Sequence, residues 1–179
     1  MGANLNYYLI TDSHWGHDRC YKEWGRPKGY EDLMIRNIMA TVTSEDILIH
    51  MGDLFFGNDA MWVGRLAAIN PFKMWLIYGN HDKKSYTWYL THGFDVVCES
   101  ILLNIYGKRI LLSHVPIQDF GQYDINVHGH FHDIDPIHHE PELVAIKNKK
   151  HFLLAMEDTK YQPLSLRRIV DIHGRKFNN

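Results

Sequence analysis

The first half of the chain alternates short apolar runs with segments of helical spacing. Tyr7–Ile10 is aromatic and aliphatic, the mark of a buried strand, and gives way to polar residues at Asp12. A loop bearing Gly, Arg and Pro follows around residues 25–29. Residues 31–43 carry apolar side chains at 34, 35, 38, 39 and 42, a spacing that predicts a helix. Ile47–His50 reads as a second strand, ending at Gly52 and Asp53, and residues 60–69 as a second helix. Residues 72–78 form a third strand ending at Gly79, Asn80, His81 and Asp82, and residues 85–92 a third helix.

After residue 95 the texture changes. Val96–Cys98, residues 101–106 and residues 109–112 read as consecutive strands, with a hairpin turn at Gly107 and Lys108. This run ends at Ser113 and His114. Residues 124–127 predict another strand, ending at His128, Gly129 and His130. Residues 152–156 predict a late strand, and residues 166–172 a closing helix with Ser165 as its N-cap. Alternating strands and helices followed by mostly strands predict one mixed α/β domain over residues 1–179, with no internal repeat or linker.

Composition narrows the class. A chain of 179 residues can bury one sizeable core, and 45% apolar with 22% charged residues marks a soluble globular protein. A formal charge of −2 provides no extended nucleic-acid-binding surface. Cys20 and Cys98 make no disulfide framework and read as reduced thiols, which places the protein in the cytoplasm. No signal peptide or membrane span is expected. The unusual number is thirteen histidines, which with few cysteines directs attention to metal chemistry with oxygen and nitrogen donors.

Position gives those histidines meaning. Five apolar strands end in polar clusters of one chemical kind: Asp12 to His14, Gly52–Asp53, Gly79 to Asp82, Ser113–His114 and Gly129 to His132. Ligands gather outside the carboxyl ends of strands in α/β sheets, so the five ends are expected to converge. Asp, Asn and His suit hard or borderline divalent ions, and the donors outnumber the needs of one tetrahedral site, which points to two. Any one cluster alone equally fits an ordinary turn. His17, three residues after His14, is a candidate for holding a substrate phosphate. His50 and His128 read as structural, and His138 and His139 as part of an acidic, Pro-bearing solvated loop. Trp15, Tyr21 and Trp24 are candidates for a substrate wall or for loop packing.

The ordered set Asp12-x-His14, Gly52-Asp53, Gly79-Asn80-His81-Asp82, His114 and Gly129-His130-x-His132 resembles the signature of the calcineurin-like metallophosphoesterases. With Tyr161 to Leu166 the resemblance spans nearly the whole chain, and its short form is most like the small stand-alone bacterial and phage members. It implies a four-layer α/β/β/α sandwich of two mixed sheets. It further implies that Asp12, His14, Asp53 and His132 hold one divalent metal, and Asp53, Asn80, His114 and His130 a second. Manganese is the expected metal, with Fe, Zn, Ni, Co or Mg as alternatives. His81 would act as general acid with Asp82 orienting it, while a hydroxide shared by two metals attacks phosphorus. The expected activity is phosphodiester hydrolysis on a small phosphoester or nucleotide. A phosphomonoesterase and a non-catalytic metal-binding scaffold are the alternatives.

Overall fold

The computed structural model describes residues 5–69, 72–131 and 148–177. His132, His138 and His139 lie outside the described residues. In chain order the elements are β1 (Tyr7–Ile10), α1 (Arg19–Lys22), α2 (Tyr30–Thr41), β2 (Ile47–His50), α3 (Asp59–Ala68), β3 (Lys73–Ile77) and α4 (Tyr86–Thr91). They continue with β4 (Val96–Cys98), β5 (Ser100–Ile105), β6 (Lys108–Ser113), β7 (Ile125–His128), β8 (His151–Leu153), β9 (Leu164–Ser165) and α5 (Leu166–Phe177).

Two mixed sheets form. The first has the order β4-β3-β2-β1-β9, parallel except for β9, which runs antiparallel to β1. The second has the order β5-β6-β7-β8, with β5 antiparallel to β6 and the rest parallel. The two-sheet α/β sandwich is therefore as the resemblance implies.

Why the strands of the first sheet read as unbroken apolar runs is now evident: both of its faces are covered. Side chains alternate between two cores. Ile10, Leu48, Met74 and Leu76 face the helices, packing with Met34, Ile38, Val63, Leu66 and Tyr89 from α2, α3 and α4. Leu9, Ile47, Ile49 and Ile77 face the second sheet, meeting Ile110, Leu112, Ile125 and Val127. Each such side chain taken out of water contributes about 1.5–3 kcal/mol. Leu166 and Ile169 of α5 join the core between the sheets. Three helices start on side-chain caps: Asn58 accepts from the Met61 amide, Ser85 from Trp88 and Ser165 from Arg168.

Two boundaries differ from the sequence expectation. The late strand stops at Leu153 rather than 156, because its partner β7 ends at His128. Only the Leu154 amide still reaches back, to the His128 carbonyl. The closing helix runs to Phe177 rather than 172; past Asp171 its residues are mostly polar, so apolar spacing no longer reports the helix. The one-turn helix α1 and the two-residue strand β9 are too short to leave a periodic signal.

Candidate metal centre

Parallel pairing puts the carboxyl ends of β1, β2 and β3 at one edge of the first sheet, and those of β6 and β7 at one edge of the second. The β1–β2 register persists beyond the strands. The Asp12 amide donates to the Gly52 carbonyl (2.9 Å), His14 to Asp53 (3.0 Å) and Trp15 to Leu54 (2.9 Å). The backbone there is unusual. Asp12 (φ 47°), His14 (φ 45°), Asp53 (φ 59°) and His130 (φ 69°) all adopt the left-handed region. Non-glycine residues reach it at a cost, and clusters of them mark functional sites. All four are residues for which a metal role is expected from sequence.

Asp12, His14 and Asp53 form a buried group that can hold a metal ion, their ligand atoms all lying within 4.8 Å of one another. His14 Nε2 is 3.9 Å from Asp12 Oδ1 and 3.6 Å from Asp53 Oδ2. Asp53 also meets a second set of donors. His114 Nε2 lies 3.5 Å from Asp53 Oδ2, 2.9 Å from Asn80 Oδ1 and 3.3 Å from His130 Nδ1. The His114 Nδ1 atom donates to the Met51 carbonyl at 2.8 Å, which fixes the ring and turns Nε2 toward the cluster. Six of the seven expected ligands thus meet in one place, and the seventh, His132, lies outside the described residues. Carboxylate, amide and imidazole donors gathered around Asp53 fit divalent cations.

The local field is that of a cation site. Burial alone would raise the Asp53 carboxyl, but the hydrogen bond and charge of His114, the charge of His14 and the His81 amide hold it well below the carboxylate range. Burial would lower His114; Asp53 and Asp12 together push it up to about 9 instead. A metal entering here would displace that proton, as is usual for imidazole ligands.

Two glycines stand where backbone and candidate ligands crowd together. A Cβ on Gly79 would strike the Asp53 carboxylate and amide, and one on Gly129 would strike Thr11 and Asp12. No other residue type fits.

His81 is exposed at the rim, its amide donating to Asp53 Oδ1 at 2.9 Å and its ring 5.6 Å from that of His14. Asp82 corrects an expectation. Its carboxylate does not back the His81 ring. It accepts from the amides of Asp53 (3.0 Å), Leu54 (3.0 Å) and Gly79 (2.8 Å), tying the β2 and β3 loops together. Burial pushes its carboxyl up to about 6 despite those three donors. The physical reason is proximity: three backbone donors converge around one inward-turned side chain, and the exposed neighbouring ring does not compete.

The remaining histidines divide. His17 stacks on Phe56 with centroids 4.1 Å apart, and burial, then Arg19 and His81, lower its pKa. His50 is buried, bonded through Nε2 to Ser13 Oγ (2.9 Å), and accepts from the Gly52 amide at Nδ1 (3.2 Å). His128 is buried at the end of β7, edge-on to Phe131 and His151.

Several supports of the site leave no signal in the chain's pattern. Arg26, 2% exposed, donates to the Ser13 carbonyl (3.0 Å) and pairs with Glu157 (2.7 Å), while the Tyr30 hydroxyl donates to the His14 carbonyl (2.7 Å). Together they brace the turn that carries Asp12 and His14. Phe56 was equally silent, although its place just after Gly52-Asp53 is a usable signal.

No family model matches the chain. The uncharacterised protein MJ1445 of Methanocaldococcus jannaschii is 29% identical over 176 residues, covering 92% of this chain and 89% of that one. The crystal structure of AQ665 from Aquifex aeolicus, a protein of unknown function, is similar with a TM-score of 0.75 and 26% identity, over 94% of this chain and 100% of that chain. A novel archaeal phosphodiesterase aligns with a TM-score of 0.48 and 16% identity, over 75% of this chain and 77% of that chain.

Proposed function

We propose that the protein is a metal-dependent phosphoester hydrolase that favours phosphodiesters. The observation that carries this reading is the convergence of Asp12, His14, Asp53, Asn80, His114 and His130 beside the exposed imidazole of His81. Asp12, His14 and Asp53 would hold one divalent ion; Asp53, Asn80, His114 and His130 would hold another. His132 completes the first set on sequence grounds alone. Bound divalent ions would supply an activated water and neutralise charge on the phosphoryl oxygens.

The chain's own groups do the rest. Asp53 fixes the position of His81 through its amide, and the Asp82 carboxylate keeps the β2 and β3 loops in register. The His81 imidazole, exposed beside the candidate ligands, gives its proton to the leaving oxygen as general acid. A diester carries one negative charge where a monoester carries up to two. Arg26, the guanidinium beside the Asp12–His14 turn, is taken up by Glu157 and the Ser13 carbonyl, and the rings around His81 are those of Phe56 and His14. That chemistry suits the less charged ester.

The test is hydrolysis of bis-p-nitrophenyl phosphate and p-nitrophenyl phosphate by protein loaded in turn with Mn²⁺, Ni²⁺, Co²⁺, Zn²⁺ and Mg²⁺. Turnover of the diester ahead of the monoester is expected. Absence of turnover with every metal would leave a binding scaffold. The variant His81→Ala should retain metal and lose about 10²–10⁴-fold in rate on esters with poor leaving groups, and much less on nitrophenyl esters. Equal losses on both would contradict the acid role.

A further inference from the structure

Phe55 and Phe56 are neighbours with opposite surroundings. Phe55 is buried in the core between the helices and the first sheet. Phe56 is only half-buried and belongs to neither apolar core. Its ring contacts are three imidazoles of the site: His17 stacked at 4.1 Å, His81 at 5.2 Å and His14 at 5.4 Å. Trp24, also half-buried, extends the same wall, 5.4 Å from His17 and 5.5 Å from His14. The Arg19 guanidinium lies 5.9 Å from the Trp24 ring centroid.

A partly solvated phenylalanine adds no donor to a metal centre, and Phe56 contributes nothing to either core. Its use is as a flat apolar surface beside the place where a phosphorus would sit. The complement of such a surface is a planar aromatic group joined to the phosphate. Imidazole edges along the same wall supply hydrogen-bonding partners that a plain hydrocarbon ring would not need and a base edge would. We infer that Trp24, His17 and Phe56 form a base-stacking subsite and that the substrate is a nucleotide ester. This rests on the phosphoester reading above and specifies its substrate class.

The test compares AMP with ribose 5-phosphate, which differ only in the base. Binding to the Mn²⁺-loaded full chain is measured by calorimetry, and hydrolysis of bis-p-nitrophenyl phosphate is followed separately. AMP is expected to bind roughly 5- to 150-fold more tightly, the range for one base stacked on protein rings. Phe56→Leu should bring that ratio toward unity while ribose 5-phosphate affinity and melting temperature stay near wild type; Trp24→Ala should lower the ratio likewise, with some loss of melting temperature because Trp24 also packs against the helix-side core. Phe56→Trp should preserve the ratio. Equal affinities in the wild type, no binding of either ligand, or a ratio unchanged in both variants would overturn the subsite. Failure of turnover with every metal, alongside an intact base preference, would instead overturn the hydrolase reading and leave the subsite standing.

Discussion

His50 holds its place through two hydrogen bonds that require a neutral ring. Its Nδ1 accepts from the Gly52 amide, so Nε2 carries the proton and donates to Ser13 Oγ, which in turn donates to the Leu54 carbonyl. Burial pushes its pKa down to about 3 from an ordinary 6.5. The unfolded chain therefore binds a proton that the folded chain refuses. The stability this confers is complete above pH 6.5 and is lost progressively as pH falls from there toward 3. Between pH 7 and pH 5 the contribution is about 2 kcal/mol. His50→Gln, which cannot titrate, should show an acid loss smaller by about that amount in urea unfolding at pH 7, 6 and 5. Identical slopes would contradict the buried neutral ring. The same residue illustrates what position means for a histidine: His50 ends a strand as His114 nearly does, yet only His114 turns its Nε2 toward carboxylates.

At the scale of elements, the turn after β1 is gripped from far along the chain. Arg26 follows α1, and Glu157 follows β8, 131 residues later. Their ion pair is buried on the arginine side, and the same guanidinium holds the Ser13 carbonyl between two left-handed residues. Removing one partner of a buried pair leaves a charge without compensation, which costs about 3–5 kcal/mol. Glu157→Ala should lose roughly 3 kcal/mol in urea unfolding, while Arg26→Met with Glu157→Met should recover most of it. A loss below about 0.5 kcal/mol, the usual size for a surface substitution, would show that the pair does not brace the turn.

At the scale of the whole molecule, two sheets have to meet before the centre exists. Asp12, Asp53 and Asn80 come from the first sheet, and His114 and His130 from the second. A cation held between them ties the layers together and should stabilise only the folded state. Mn²⁺ at 100 times its dissociation constant should add about 2.7 kcal/mol, raising the melting temperature by several degrees. Asp53→Ala should abolish that increment and the bound metal together; an unchanged shift would place the ion elsewhere. Much of this was legible in one dimension. Strand periodicity and the polar cluster after each strand located β1, β2, β3, β6, β7 and the described residues that gather at the candidate metal site, because a strand end is a local feature and its side chains follow it directly in the chain. Setting His128 apart from His130 rested on Gly129, which lets the chain leave the extended run, and on the family's motif, which has no counterpart of His128. What remained hidden depends on which segments meet. Asp82 looked like the partner of His81 because they are adjacent, yet three amides from two loops claim its carboxylate. Arg26 and Glu157 carry no shared signal across 131 residues. Phe56 looks like its core neighbour Phe55 until three imidazoles from the segments after β1 and β3 gather on it. The sequence by itself determined the strands, their polar ends and the donor chemistry, since periodicity and residue type act locally. Only the tertiary structure decided which groups converge on Asp53, which turn to backbone amides and which stay exposed around the candidate site, because those placements are set by neighbours that chain order does not bring together.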